Sequence, residues 1–156
     1  MRTIANFVTA GFFLVLLAAT GALGVEPQAM DEKAKIESTA RDYIDGWYEA
    51  SAGRMHRALH PDLAKRSFVR LPNGRPILET ASAGTMVELT RAGFGKRKAR
   101  PDQKNQVIVL DISGNMASVK TISPDYVDFL HMAKVDGAWK IVNVLWEPVE
   151  GKPPSP

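Results

Sequence analysis

One carboxylate that could do chemistry, Asp128, falls in a largely apolar stretch, YVDFLHMAKVDGAWKIVNVLW, which covers residues 126–146. A carboxylate on an apolar sheet face is costly unless hydrogen bonds satisfy it or a ligand uses it. We therefore consider Asp128 a candidate general acid or base, with Tyr126 or Asn143 orienting a ligand beside it. This interpretation requires that their face of the sheet is concave. If it is convex, Asp128 belongs to a subunit interface and His131, on the opposite face, becomes the pocket residue.

The segment around Pro61 supplies a second pair of candidates, His60 and Asp62. An imidazole and a carboxylate placed at the mouth of a pocket can transfer protons. The alternative is local, because Pro61 disfavours helical geometry in the residue before it and Asp62 can then cap a turn. His56 and His60 also have the i,i+4 spacing of some metal ligands, but no acidic residue as in HExxH and no clear third ligand accompany them. We therefore predict no metal site and no cofactor.

Three aromatic residues, Tyr43, Trp47 and Tyr48, fall on the longest predicted helix. Aromatic residues in a helical stripe commonly pack in the core, with their polar tips hydrogen-bonded. The other interpretation is a pocket wall that stacks on a flat ligand. We take all three as candidate ligand-binding residues.

These candidates have to be positioned by helices that come early in the chain and strands that come late, an order that predicts an α+β fold. We expect three N-terminal helices packed against one face of a curved antiparallel or mixed sheet. The predicted helices cover Asp31–Ala50, Arg54–Leu59 and Ser82–Ala92. The predicted extended segments are Lys65–Leu71, a piece near Ile77 and Leu78, a hairpin of Gln106–Ile112 with Met116–Ile122, and a final hairpin within Tyr126–Trp146.

The final hairpin turns at Asp136-Gly137, a pair that readily adopts the positive φ angles of a tight turn. Pairing Val135 with Ala138 then places Asp128 opposite Leu145, puts Asn143 on the same face, and puts His131 and Trp146 on the other. Neither face is polar enough to meet water. We therefore expect helices on one side of the hairpin and a second subunit, in a homodimer, on the other.

The preceding hairpin turns at Gly114-Asn115. Pairing Ser113 with Met116 separates an apolar face from a polar one, which supports this register. The apolar face is predicted to contain Ile108, Leu110, Ile112, Ala117 and Val119.

The first 24 residues predict an export signal, because Arg2 precedes an uncharged run with an apolar centre, GFFLVLLAA, and small residues follow it. The alternative is an uncleaved anchor, since the run approaches the roughly 20 residues that span a bilayer; only then would the protein be attached to a membrane. Either way we expect the folded part to be periplasmic or secreted. One domain is predicted over residues 25–149, and the Pro-rich residues 150–156 are predicted to be a disordered tail.

Composition excludes several classes of function. The 156 residues include no cysteine, so the chain has neither disulfides nor a thiol nucleophile. Its net charge of +3 is too small, taken alone, to indicate nucleic acid or anionic lipid. A basic run, GKRKARPDQK, contains no aromatic residue to stack on bases, so we predict no nucleic-acid partner. Catalytic triads, phosphate-binding loops and dinucleotide fingerprints are absent from the sequence.

Four stretches, YIDGWYEA, RMHRALHPDLAKR, VLDISGNMASVK and YVDFLHMAKVDGAWKIVNVLW, resemble the nuclear-transport-factor-2-like superfamily and, within it, the branch labelled putative lumazine-binding proteins. The resemblance implies a cone-shaped, cystatin-like fold whose helices close over the concave face of the sheet and leave a pocket, while the outer face often forms a homodimer. The superfamily contains ketosteroid isomerases, polyketide cyclases, scytalone dehydratase and many binding proteins.

Three functions are therefore compatible with the sequence. The first is an exported protein that binds a small aromatic or apolar molecule in a cone-shaped hydrophobic pocket. The second is an acid/base enzyme of the isomerase, cyclase or dehydratase kind that uses Asp128 or the pair His60 and Asp62. The third is a non-catalytic dimeric interaction module. Fold analogy does not choose among them, because one architecture hosts unrelated functions.

Overall fold

The computed structural model describes residues 27–96, 99–102 and 104–149, and in these ranges three helices pack on one six-stranded mixed sheet. The predicted α+β class is confirmed. The predicted export signal and C-terminal tail lie outside the described residues. The elements are α1 Pro27–Glu49, α2 Ala52–Ala58, β1 Leu59–Arg70, β2 Pro76–Ala81, α3 Ala83–Arg91, β3 Gln106–Ser113, β4 Met116–Ile122, β5 Tyr126–Val135 and β6 Ala138–Pro148.

The sheet has the strand order β2-β1-β6-β5-β4-β3, with β1 parallel to β6 and every other neighbouring pair antiparallel. The hairpin of β5 and β6 therefore occupies the middle of the sheet, as its two apolar faces require. Helix α1 packs against β3, β4 and β6, and α3 packs against β1. No helix within the described ranges is long and apolar enough to cross a membrane.

Helix α1 forms because its apolar residues recur every three or four positions and bury one continuous stripe. Ile36 and Ala40 are fully buried, and they pack with residues of the inner sheet face such as Val144. Gly46 interrupts this good helix-forming sequence for a packing reason. A Cβ atom there would lie 3.0 Å from the Cβ of Arg54, so the missing side chain lets α2 pack closely against α1.

The turn of the final hairpin is as predicted, with positive φ angles at Asp136 and Gly137 and with Val135 paired to Ala138. The register from His131 back to Tyr126 differs from the prediction, because Val142 is an extra residue in β6 and forms a β-bulge. Side chains alternate between the two faces of a strand, so one extra residue exchanges the faces of all that follow.

Three predictions fail at this bulge. Asp128 is paired with Trp146 and not with Leu145, which brings Trp146 to the inner face. Asn143 is paired with His131 on the outer face, so the prediction that Asn143 shares a face with Asp128 is wrong. Val144, which the predicted register places on the face opposite Asp128, is fully buried on the inner face.

The hairpin of β3 and β4 carries a second bulge, at Leu110. Ser113 is paired with Met116 as predicted, but the register shifts between Val109 and Asp111. In consequence Ile108 is 40% exposed and Leu110 is 50% exposed, so the prediction that both share a face with Val119 is wrong. The residues of this strand that pack against the core are Val107, Val109 and Ile112.

Candidate functional site

A cavity of about 620 Å³ opens between helices α1 and α3 and the inner face of the sheet. Its size is typical of pockets that bind small molecules. Most of its wall is apolar or aromatic, and Ile44, Trp47, Met86, Leu89, Phe94 and Trp146 belong to it. The polar side chains that reach it include Tyr43, Lys65, Ser67, Glu79 and Asp128.

Asp128 lies at the buried end of this cavity, on β5, and only 1% of it is exposed. Its Oδ1 accepts hydrogen bonds from the Tyr43 hydroxyl at 2.8 Å and from the Lys65 ammonium at 2.7 Å. Its Oδ2 accepts a longer one, 3.3 Å, from the hydroxyl of Thr121. Because every donor is supplied by the protein, the carboxylate is held in one orientation on an otherwise apolar face.

Lys65, on β1, completes a closed arrangement, which we call the buried cluster of Tyr43, Lys65 and Asp128. Its Nζ also donates to the Tyr43 hydroxyl at 2.7 Å. The ammonium lies 4.7 Å from the centre of the Trp146 ring and 5.4 Å from that of Tyr43, which are cation–π distances. A cation, a carboxylate and a phenol are thus in direct contact at the floor of the cavity.

Burial sets the electrostatics of the cluster. Removal from water lowers the pKa of Lys65, and the neighbouring charge of Asp128 opposes this effect. The pKa of Tyr43 is raised well above its ordinary value, first by burial and then by the negative charge of Asp128. The Tyr43 phenol therefore stays protonated and donates to the carboxylate.

Sequence reasoning missed Lys65. The signal that could have found it is the alternation of β1, in which Leu63, Lys65 and Ser67 are all buried and therefore share the inner face. A buried carboxylate also calls for a nearby cation, but the sequence does not say which lysine or arginine supplies it.

Some of the aromatic candidates line the cavity and others do not. Trp47 lines the cavity, and its indole N–H is buried without a hydrogen-bond partner among the described residues. Tyr126 also lines it and packs edge-on against Trp146, with ring centres 5.3 Å apart. Tyr48 does not reach it, because its hydroxyl donates to Ser123 at 3.0 Å and Asp125 at 3.1 Å in a neighbouring part of the core.

His131 and Asn143 lie on the outer face of the sheet. Their side chains approach each other at 3.3 Å, and Asn143 also accepts a hydrogen bond from Arg66 at 2.8 Å. Of the two alternatives posed by the sequence, the concave face is therefore the one that carries Asp128 and Tyr126, and neither His131 nor Asn143 lines the cavity.

His60 and Asp62 lie at the start of β1, away from the cavity wall. The Asp62 amide donates to the His60 ring at 3.1 Å, and the Asp62 side chain is 93% exposed, so this is a local contact within the strand. Their proton-transfer role stays a prediction. In the described part of the chain, no three His, Cys, Asp or Glu side chains are grouped as metal ligands would be.

Comparisons with known proteins agree with this architecture. A model of the family described as "Putative lumazine-binding" matches residues 31–147. An NTF2-like protein of unknown function from Shewanella baltica is 19% identical, with a TM-score of 0.65 over 78% of this chain and 97% of that one. A cystatin-like domain of unknown function from Nostoc punctiforme is 16% identical, with a TM-score of 0.52 over 77% of this chain and 78% of that one.

A structure named as a putative scytalone dehydratase, from Novosphingobium aromaticivorans, is 17% identical, with a TM-score of 0.51 over 77% of this chain and 85% of that one. At these identities the likenesses concern the fold alone, and they confirm the predicted nuclear-transport-factor-2-like, cystatin-like fold. No curated protein matches the chain.

Proposed function

The chain belongs to the family described as "Putative lumazine-binding", and on that premise we propose that it is a small-molecule-binding protein whose cavity takes a flat, largely aromatic or apolar compound. One observation carries the proposal. A cavity of about 620 Å³ has mainly apolar walls and ends at a few convergent polar groups, the usual composition of a ligand site.

The walls of the cavity would contact the ligand through apolar surface, and its floor would bind the ligand through hydrogen bonds. Trp47 and Trp146 line the cavity and offer apolar aromatic surface to a flat ligand. A lysine ammonium has three N–H donors, and the hydrogen bonds to Asp128 and Tyr43 use two of them. The third is available to an acceptor on the ligand, so the floor favours a compound with a carbonyl oxygen or a ring nitrogen at its leading end.

An acid/base enzyme of the isomerase, cyclase or dehydratase kind is the second candidate. It needs two titratable groups facing one cavity, and Lys65 and Asp128 satisfy that requirement. Under this reading Asp128→Asn abolishes turnover; because the substitution also leaves Lys65 without its buried counter-charge, thermal melting has to show that the variant is folded. Turnover that survives the substitution would remove Asp128 from the mechanism.

We also propose that the protein forms a homodimer through the outer face of the sheet. In the third candidate function, a non-catalytic interaction module, this association would be the only activity. An apolar row crosses this face, and burying it against a second copy would remove it from water. The row consists of Phe129, Leu145, Phe68 and Leu78, which are 46%, 46%, 67% and 49% exposed, and Lys120 of β4 separates it from the exposed Ile108. Sedimentation analysis of wild type and Phe129→Lys tests it: we expect a dimer and a monomer, respectively.

We place the protein in the periplasm or outside the cell, on the strength of the apolar N-terminal run. N-terminal sequencing of the protein recovered from the periplasm should show that the first 24 residues have been removed. An intact N-terminus in the membrane fraction would support the uncleaved anchor.

Native mass spectrometry of the mature protein, purified from its own compartment and then gently denatured, tests the binding function. We expect a reproducible small molecule in stoichiometric amount, lost in a Trp47→Ala variant that still folds. Equal retention of the molecule by that variant would show that Trp47 is core and not pocket wall. A protein that is empty and that binds no flat aromatic compound on titration would refute the proposal.

A further inference from the structure

The cavity contains a second polar feature, separate from the buried cluster. Glu79 lies on the edge strand β2, directly opposite Ser67 of β1, and both side chains line the cavity. Ser67 is only 3% exposed. Among the described residues, neither side chain hydrogen-bonds or ion-pairs with another protein group. A carboxylate and a hydroxyl on the wall are therefore available to whatever enters.

The charges of the residues that line the cavity do not cancel. Of the described residues that line it, Lys65, Glu79 and Asp128 are charged. Lys65 and Asp128 are paired at 2.7 Å and compensate each other, which leaves the carboxylate of Glu79 in excess. A concave site with one uncompensated negative charge attracts a cation.

The aromatic walls favour the same kind of ligand. The electron-rich ring of Trp47, which lines the cavity, attracts positive charge as well as apolar surface. Ser67 follows Lys65 by two residues on the same face of β1, a separation of about 7 Å along the strand. A fused ring system can thus contact the buried cluster with one end and Glu79 with the other.

We propose that Glu79, assisted by Ser67, recognises a positively charged, N–H-donating group on the ligand, so that the cavity selects flat aromatic amines or protonated nitrogen heterocycles over neutral aromatic compounds. This inference rests on the proposed binding function. It adds a specificity-determining residue that acts at the β2 side of the cavity, away from Asp128.

Two test compounds of similar shape isolate the effect of charge: 6-(aminomethyl)-2-naphthamide, which is cationic at neutral pH, and 6-ethyl-2-naphthamide, which is neutral. Both carry a carbonyl oxygen as an acceptor for Lys65. Dissociation constants are measured by equilibrium dialysis for wild type, Glu79→Gln, Ser67→Ala and Glu88→Gln. Glu88 is the matched control, because it lies on α3 outside the cavity wall and its side chain is 67% exposed. Thermal melting of each variant checks that it is folded.

We expect wild type to bind the cation about fivefold or more tightly than the neutral compound, as a charge-assisted hydrogen bond in a partly exposed site allows. Glu79→Gln should remove most of this preference by weakening the cation alone, Ser67→Ala should remove part of it, and Glu88→Gln should keep it. An unchanged preference in Glu79→Gln, or none in wild type, would overturn the inference and leave Glu79 as a solvated charge on an edge strand. Absence of binding by both compounds would overturn the proposed function itself.

Discussion

The buried cluster makes a quantitative prediction about stability, which Lys65→Met tests. The substitution keeps an unbranched apolar side chain in place but removes the only cation that contacts Asp128 among the described residues. The two side chains are 10% and 2% exposed, so the remaining carboxylate has little access to water. Removing one partner of a buried ion pair costs about 3–5 kcal/mol. Tyr43 and Thr121 still donate to Asp128, so we expect the lower end of that range.

Urea denaturation of the purified variant measures this loss as a change in the free energy of unfolding. The double variant Lys65→Met/Asp128→Asn removes both charges while preserving an acceptor for Tyr43, and it should recover about half of the loss or more. Lys33→Met is the matched control. Its side chain is 57% exposed and pairs with Glu37 at 3.9 Å, so the change should stay within about 1 kcal/mol.

A loss of under about 1 kcal/mol in Lys65→Met would refute this reasoning. It would mean that Asp128 is neutral or hydrated in the folded protein, and that the ion pair does not set the electrostatics of the cavity. A double variant no more stable than Lys65→Met alone would attribute the loss to packing and not to the stranded charge.

Two further predictions concern pH and packing. Hydrogen bonds from Lys134, Trp139 and Lys35 lower the pKa of Glu32 from 4.5 to about 2. Because the folded pKa is depressed, Glu32 stabilises the protein above pH 4.5, and this contribution is lost as the pH falls toward about 2. In urea titrations the stability difference between wild type and Glu32→Gln should therefore shrink across that window; a constant difference would contradict the assignment. Gly95→Ala would place a Cβ atom 2.5 Å from Cδ1 of the Trp47 ring, and overpacking of this kind costs about 1–3 kcal/mol. Gly53→Ala is its control, since the nearest atom there is 3.9 Å away, and thermal melting should show a loss for the first variant only.

Much of the fold was predictable because short stretches of sequence indicate the same helices and turns that the structure contains. The early helical periodicity produced α1, and the Asp136-Gly137 and Gly114-Asn115 turns appear where their sequences indicate. The burial of Asp128 also followed from its position among apolar neighbours. In each case the information lies within a few residues of the feature.

The composition of the site was less predictable, because it depends on contacts between distant segments. Lys65 and Asp128 are 63 residues apart, and the sequence around either residue does not indicate which residue it pairs with. The two β-bulges made the strand register hard to predict for a different reason. An extra residue at Leu110 or Val142 is accommodated by how the whole sheet curves and packs, and the adjoining sequence is compatible with a regular ladder as well.

The bulge at Val142 decides which side chains of β6 form the cavity wall. Trp146 faces inward and Leu145, 46% exposed, faces outward because Val142 is accommodated as an extra residue between Ile141 and Asn143. If the same residues paired with β5 without the bulge, Leu145 would lie opposite Asp128 and the indole of Trp146 would lie on the outer surface. Within such a scaffold, the presence or absence of one bulge can therefore change a binding site without substituting any side chain in it.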